Sequence, residues 1–498
     1  MEASQNTSTT KQTDSVSNSS LKESTETVEL DITNTISTNS NESYADSTAS
    51  RLAKKWRWWA TLLLCYLMFL FVGSDDGTFG LVLPQVRKYY SLNDSQVSLA
   101  FLSDLAGYLL GSMLTGFLVN RLGFKRYLIL GEGLFLVATF CLALVAPRLP
   151  FFSFMLSMVV SGASIATLDT GIHSFMLSLP NGARLLTWLH AAYGLGAWAG
   201  PAAFTLLIDN ANMQWNTIYL LLGSAGVAIF LGLAVVFIER RNWENPSMDT
   251  QDSETTAVDA TGTEEGEEKG NGEKIRVEEV EEIEEQSNLL LAVFKYLHVW
   301  LCALMFFFYM GAEVSLGSWS YNFLTVAREY PVAISGQIAG IYWLGLMIGS
   351  VGLGHLSPKV GSFRVVFIGL LIHVVALLTL WFIVPIVPST EGGEALSGIA
   401  LFLTGLGLGP IYPTLMIVLC SEIPLRLRGS AIGLVTGFAS LGQGIFSWIA
   451  GVLADFAGPM TLLPLELGLA GVMAALGVTI MWRKQNKHRK RVREASGV

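Results

Sequence analysis

The 498-residue sequence predicts an all-α integral membrane protein of twelve transmembrane helices in two six-helix halves. Three observations predict it: the chain is poor in charge, its apolar runs follow one another at membrane-spanning length, and a short loop sequence recurs at equivalent places in the two halves.

The chain is 51% hydrophobic and only 14% of it is Asp, Glu, Lys or Arg. Soluble domains carry about 25% charged residues. A charge at the bilayer centre costs several kcal/mol, so a span of about 20 residues excludes it. The charges here are clumped and leave long stretches almost free of them.

Apolar runs predict spans near 58–82, 96–119, 127–147, 151–178, 186–208 and 216–238, and then near 296–323, 333–356, 364–387, 395–420, 429–453 and 460–482. Residues 1–55 precede them, polar and Ser/Thr/Asn-rich, and are expected to be disordered. The expected organisation is therefore a 56–238 half, an acidic linker at 239–290, a 291–482 half and a basic tail at 483–498. Residues 1–50 contain no apolar core of a cleaved signal, so the first span is expected to direct insertion itself.

Lys and Arg set the orientation. One face collects Arg51, Lys54, Lys55, Arg57, Arg121, Lys125, Arg126, Arg184, the long loop, Lys359, Arg364, Arg426, Arg428 and the tail from Arg483 to Arg493. The other has Arg87, Lys88, Arg148 and Arg328. The positive-inside rule then expects both termini and the long loop in the cytosol, in either the plasma or the vacuolar membrane. The tail follows the last span directly and suits anionic lipid rather than nucleic acid. No feature argues for an oligomer, and a monomer is expected.

The repeat is Gly116-Phe-Leu-Val-Asn120-Arg121-Leu-Gly123 after span two and Gly354-His-Leu-Ser-Pro358-Lys359-Val-Gly361 after span eight. Both read G-x-L-x-x-(basic)-x-G. Two repeated helical bundles with a site between them is an architecture in which one half rocks against the other.

Within the linker, Val277, Val280 and Ile283 recur every third residue among glutamates, which allows either a short amphipathic helix or a solvated charged segment. Glu285-x-x-x-Leu289-Leu290 has the form of an acidic dileucine sorting signal, and Asn93-Asp94-Ser95 that of a glycosylation sequon. Cys65, Cys141, Cys302 and Cys420 lie in apolar runs without metal-ligand spacing and read as packing residues. No Walker-type loop, nucleophile elbow or metal motif is present, so neither an enzyme nor an ATP-driven pump is indicated, and no cofactor or metal is expected.

The loop Gly116, Asn120, Arg121, Gly123, Lys125, Arg126 resembles the gating-loop motif of the major facilitator superfamily, with Asn120 where the family has Asp. Four further stretches resemble the fucose permease-like branch of sugar:proton symporters, including its fungal bypass-of-stop-codon-type members. They are Asp75-Asp76-Gly77-Thr-Phe-Gly80-Leu-Val-Leu-Pro84, Leu168-Asp169-Thr170-Gly-Ile-His173, Gly311-Ala312-Glu313-Val-Ser315-Leu-Gly317-Ser-Trp319 and Ile411-Tyr412-Pro413-Thr414. The resemblance implies the major facilitator fold and a carrier of a sugar or sugar-like solute coupled to protons. His190 stands where bacterial members have an amide, which implies a different sugar specificity.

Ionisable residues inside spans are functional candidates by default. The candidates taken are Asp75, Asp76, Asp104, Glu132, Asp169, His173, His190, Glu313 and His373, with no Lys or Arg in mid-span. Such acids resist ionisation, which suits proton coupling. Asp76 and Asp169 match the branch's coupling carboxylates; otherwise Asp76 caps a helix broken at Gly77 and Gly80, and Asp169 bonds a neighbouring helix. Glu313 is expected to accept from solute hydroxyls. His173 and His190 either bind solute, relay protons or satisfy a helix partner. Asp75 is either functional or the polar neighbour of Asp76, while Asp104, Glu132 and His373 read mainly as structural.

Among the aromatics Trp188, Tyr193, Trp198, Trp319, Tyr321, Tyr342, Trp343 and Tyr412, those expected against a sugar ring are Tyr193, Trp319 and Tyr412. Gly196-x-x-x-Gly200-Pro201 partly resembles a span-five motif of drug:proton antiporters. The alternatives to sugar symport are a proton-coupled drug or metabolite exporter, and a nutrient sensor that binds without transport.

Overall fold

The computed structural model describes residues 56–179, 181–211, 213–237, 292–424 and 427–496. By its contacts the chain divides into two units, Met1–Leu63 and Leu64–Val498, and the helix packing and the cavity belong to the second. The linker helix, the dileucine and residues 1–55 lie outside the described residues.

Every regular element among the described residues is helical. Among the described residues, eleven helices are long and apolar enough to cross a membrane. In chain order, α1 is Trp56–Tyr89, α2 Asp94–Thr115, α3 Arg121–Arg148 and α4 Phe151–Met176. α6 is Trp215–Val236, α7 Leu297–Ala327, α8 Val332–Leu353 and α9 Ser362–Ile386. α10 is Thr390–Glu422, α11 Ser430–Ala457 and α12 Pro459–Asn486. Between α4 and α6 runs α5, Gly182–Ala211, a 30-residue helix. α5 carries His190, Tyr193 and five glycines and prolines along its length. The α12 helix runs on through the basic tail to Ser496. The expected span boundaries hold to within a few residues, α1 being the longest extension.

The sequence repeat has a backbone cause. Gly123, which ends the first copy, has φ 72° and ψ 156°, a non-helical kink inside the helical run Leu99–Phe140, close to the start of α3. Gly361 ends the second copy with φ 101° and ψ 129° at the start of α9. Residues with a side chain rarely adopt that conformation. A Cβ at either position would meet nothing within 4 Å, so torsion and not space selects glycine. Gly361→Ala is expected to lower stability by about 1–3 kcal/mol, read as a lower melting temperature in detergent.

A second correspondence has no signature in the sequence repeat. α3 ends in a π-helical turn, Cys141–Val145, then a 3₁₀ turn, Ala146–Arg148. α9 ends in the same pair, Thr379–Ile383 and Val384–Ile386. Each 3₁₀ turn has proline in its first two positions, Pro147 or Pro385. A proline ring collides with the carbonyl four residues back, and widening the turn relieves that collision.

Small residues set how closely α1 and α5 approach. A methyl group on Gly73 would strike the Tyr193 carbonyl, and one on Gly77 the Ala197 carbonyl. From the other side, Gly196 abuts the Leu70 carbonyl and Gly200 abuts Ser74 and Thr78. The expected break at Gly77 and Gly80 is not formed: α1 is helical through both. The glycines permit backbone contact instead, and Gly80 faces the Ser318 carbonyl of α7. Gly196 and Gly200 of the antiporter-like stretch serve the same packing.

Glycines mark close contacts between the halves on α2–α11 and α5–α8. Along α11, Gly444 lies against Leu105 and Gly451 against Ser98 of α2, but Gly433 and Gly437 have nothing within 4 Å of an added Cβ. Along α8, Gly336 lies against Thr205 and Gly340 against Trp198 and Pro201 of α5, while Gly352 faces open space. α2 and α11 are also joined by Ser95, whose hydroxyl donates to Asp455 Oδ2 at 2.8 Å. Asn93 caps α2, accepting from the Gln96 amide while the Gln96 side chain accepts from the Asn93 amide. The sequon residues thus have structural tasks. Asp455→Ala removes one charge-assisted bond from this closure and should shift the halves apart there by about fivefold in equilibrium constant. The check is the labelling rate of a cysteine at Ser98, buried in this state, with the four native cysteines replaced.

Candidate functional site

A narrow cavity runs between the halves. Its oxygen-bearing lining is Asp75 and Asp76 from α1, Asp104 from α2, Ser161 from α4, Ser318 from α7 and Gln443 from α11. Its apolar lining includes Phe79, Phe101, Met158, Ile165, Tyr193, Val314 and Trp343. Aromatic faces beside convergent oxygen atoms suit a ligand with both C–H surface and hydroxyls.

The close α1–α5 approach delivers one polar pair into this cavity. The Tyr193 hydroxyl donates to Asp76 Oδ2 at 2.8 Å. The same ring meets Trp343 of α8 edge-on, with centroids 6.4 Å apart. Tyr193 also lies within electrostatic range of Glu313 and Asp169. One side chain of the first half thereby stands among carboxylates from both halves.

Asp169 anchors a second chain of groups. Its Oδ2 accepts from the Tyr108 hydroxyl of α2 at 3.1 Å. Its Oδ1 is 3.0 Å from His173 Nδ1, one helical turn on. His173 Nδ1 is also 2.7 Å from the Asp169 carbonyl oxygen. His173 Nε2 then lies 3.3 Å from His190 Nε2 of α5. Two facing ring nitrogens need one proton between them, so Asp169, His173 and His190 form a continuous chain of hydrogen-bonding groups. The Asp169 side chain is 35% and the His173 side chain 24% exposed, whereas Asp75 is buried.

The second half contributes Tyr412 and Glu313. Tyr412 lies 5.8 Å from the His190 ring, and Phe306 and Tyr309 of α7 surround it at 5.0 and 6.2 Å. Glu313 is buried, with the Tyr309 hydroxyl in hydrogen-bonding reach of its carboxyl. The Tyr342 hydroxyl donates to the Glu313 carbonyl at 2.9 Å, fixing that turn of α7 against α8.

The structure thus brings together Asp76, Tyr193, Asp169, His173, His190, Tyr412 and Glu313. Trp319 lies elsewhere: it is buried at the α7–α11 contact, and its indole N–H donates to the Ser447 carbonyl at 2.9 Å. Val314 and Ser318 of the same motif line the cavity, so the motif's residues divide between the cavity and the α7–α11 packing. Asp104, read mainly as structural, lines the cavity, whereas Glu132 and His373 are buried in α3 and α9 outside it. Arg121 of the loop motif stacks over Phe117 at 5.7 Å. Side chains of Gly116 and Asn120 lie outside the described residues. Among the described residues, no group of three His, Cys, Asp or Glu is arranged to hold a metal ion.

Tyr108, Ser161 and Gln443 carry no motif in the sequence, and Ser318 is a position of the span-seven motif that was not singled out. Tyr108 was accessible to reasoning, since it follows Asp104 by one helical turn. The serines had no such signal, because hydroxyls satisfy themselves on the preceding turn of any helix.

Comparison with known proteins agrees with this architecture. The model of the Major Facilitator Superfamily matches residues 65–435. The chain is 24% identical over 429 residues to Bypass of stop codon protein 6 of Saccharomyces cerevisiae (strain ATCC 204508 / S288c), covering 84% of this chain and 81% of that one. It is 26% identical over 307 residues to a glucose/galactose transporter of Brucella abortus biovar 1 (strain 9-941), covering 58% of this chain and 64% of that one. In fold it is similar to a D-xylose-proton symporter, with TM-score 0.64, 14% identity, and coverage of 84% of this chain and 97% of that one.

Proposed function

Because the chain belongs to the Major Facilitator Superfamily, as a multi-pass transporter of small solutes and not an enzyme, we propose that it carries a sugar or sugar-like solute together with protons by alternating access. The observation that carries this is the cavity itself, where Asp76, Tyr193 and Trp343 meet between the halves. An aromatic wall packs the C–H face of a sugar, and carboxyl and serine oxygens satisfy its hydroxyls. The similarity to a glucose/galactose transporter supports the same solute class.

Protons enter this scheme at Asp76 and Asp169. Among the described residues no Lys or Arg lines the cavity, so a carboxylate there is relieved of its charge by taking up a proton. Tyr193 links the Asp76 proton to the solute's position, and the His173–His190 pair links Asp169 to α5. Glu313 and Tyr412 complete the solute site from the second half.

The test is uptake of labelled glucose, galactose, xylose and fucose into proteoliposomes under an imposed proton gradient. Accumulation of one of them supports the proposal. Folded protein that carries none, with or without a gradient, overturns the sugar assignment and favours export or sensing.

A further inference from the structure

Outside the cavity, the second half buries a carboxyl group for which neither the sequence motifs nor the transport scheme accounts. Glu466 of α12 is 0% exposed. One of its oxygens, Oε2, has no hydrogen-bond partner among the described residues. The other, Oε1, lies 2.5 Å from Ser315 Oγ of α7. Ser315 Oγ is also 2.6 Å from the Gly311 carbonyl oxygen.

Protons can be counted across these two contacts. An O···O separation of 2.5–2.6 Å without a hydrogen between the atoms is repulsive. A serine hydroxyl has one proton, and a carbonyl has none. The contact to Gly311 takes the serine proton, as serines in helices commonly do on the turn before. The contact to Glu466 then needs a proton from the carboxyl group. Burial points the same way, since an unpaired carboxylate with an unbonded oxygen is costly in a dry interior. The group facing it from α8 is Tyr342, which brings no positive charge.

We infer that Glu466 is a permanently neutral carboxylic acid that donates to Ser315, and that this bond positions the α7 turn carrying Glu313 against the cavity. Ser315 lies two residues beyond Glu313, and the turn is gripped from two sides. Tyr342 holds the Glu313 carbonyl from α8, and Glu466 holds Ser315 from α12. Glu466 is a positioning residue that touches no solute. Its effect on transport rests on the reading of Glu313 as a solute ligand, whereas its protonation state does not.

The test has two arms on the full chain in lipid. In the first, infrared spectra are recorded without solute from mildly acidic to mildly alkaline buffer. Wild type should keep the C=O stretch of a protonated carboxylic acid throughout. E466Q should remove that band, and S315A should shift it to higher frequency by removing the acceptor. Loss of the Glu466 band in alkaline buffer overturns the proposal, as does an unshifted band in S315A. S315A carries this arm alone if E466Q does not fold. In the second arm, competition by labelled galactose should show affinity reduced roughly tenfold in E466A and S315A and nearly unchanged in E466Q, whose amide still donates. E466Q that loses proton-driven accumulation but keeps exchange would make Glu466 a coupling group and overturn its positioning role. If no monosaccharide binds, the sugar assignment fails, and the infrared arm still decides the protonation state.

Discussion

Asp76→Asn should abolish accumulation of solute under a proton gradient while exchange of solute across the same membrane continues. With one proton per solute, each pH unit of gradient sustains about a tenfold concentration ratio. The variant should reach a ratio of about one, because an amide cannot take up and release the proton. Its geometry is conserved: the asparagine oxygen can still accept from Tyr193, as the Asp76 oxygen does at 2.8 Å. Loss of coupling without loss of binding is therefore the signature, measured as net uptake against counterflow in proteoliposomes. Asp169→Asn should behave alike and also loosen His173, which sits 3.0 Å from the Asp169 carboxyl. Undiminished accumulation in Asp76→Asn would remove this residue from the coupling scheme.

Gly196→Leu should remove folded protein altogether. Its first side-chain atom would coincide with the Leu70 carbonyl of α1. That region also holds Ser74, whose hydroxyl is 2.9 Å from the Leu70 carbonyl and 3.2 Å from the Gly196 carbonyl. Overpacking a filled core costs about 1–3 kcal/mol when side chains can move, and here the obstacle is backbone. If any protein survives, α1 and α5 must separate, and the Tyr193–Asp76 bond goes with them. Gly437→Ala is the control. An added Cβ there meets nothing within 4 Å, and replacing a helical glycine should stabilise by about 0.5–1 kcal/mol. Size-exclusion profiles and melting temperatures in detergent check both.

Much of this was legible in the sequence, for identifiable reasons. The spans were written in the exclusion of charge from lipid, and the two halves in a repeated loop whose last glycine proves to hold a positive φ, at Gly123 and Gly361. The ionisable residues of the site stood out because lipid makes them expensive. Their partnerships were less visible. Asp169 and His173 are one helical turn apart, a spacing that already marks a pair, but the link onward to His190 crosses between helices and needs the fold. Trp319 matched a motif yet packs at the closure, because the residues of one motif face several directions around a helix. Glu466 carried no motif, and its role appears only when Ser315 is seen bonded twice. The glycines of α1 read as a break, whereas the neighbouring glycines of α5 turn them into a contact surface.

The central claim is that solute and proton move together. The most direct measurement places the protein in vesicles containing a pH-sensitive dye, with no gradient imposed, and adds external glucose, galactose, xylose or fucose. The account predicts acidification of the lumen with one of these sugars, at a rate proportional to its uptake, and none with Asp76→Asn. Uptake of a sugar with no change in lumen pH would contradict it.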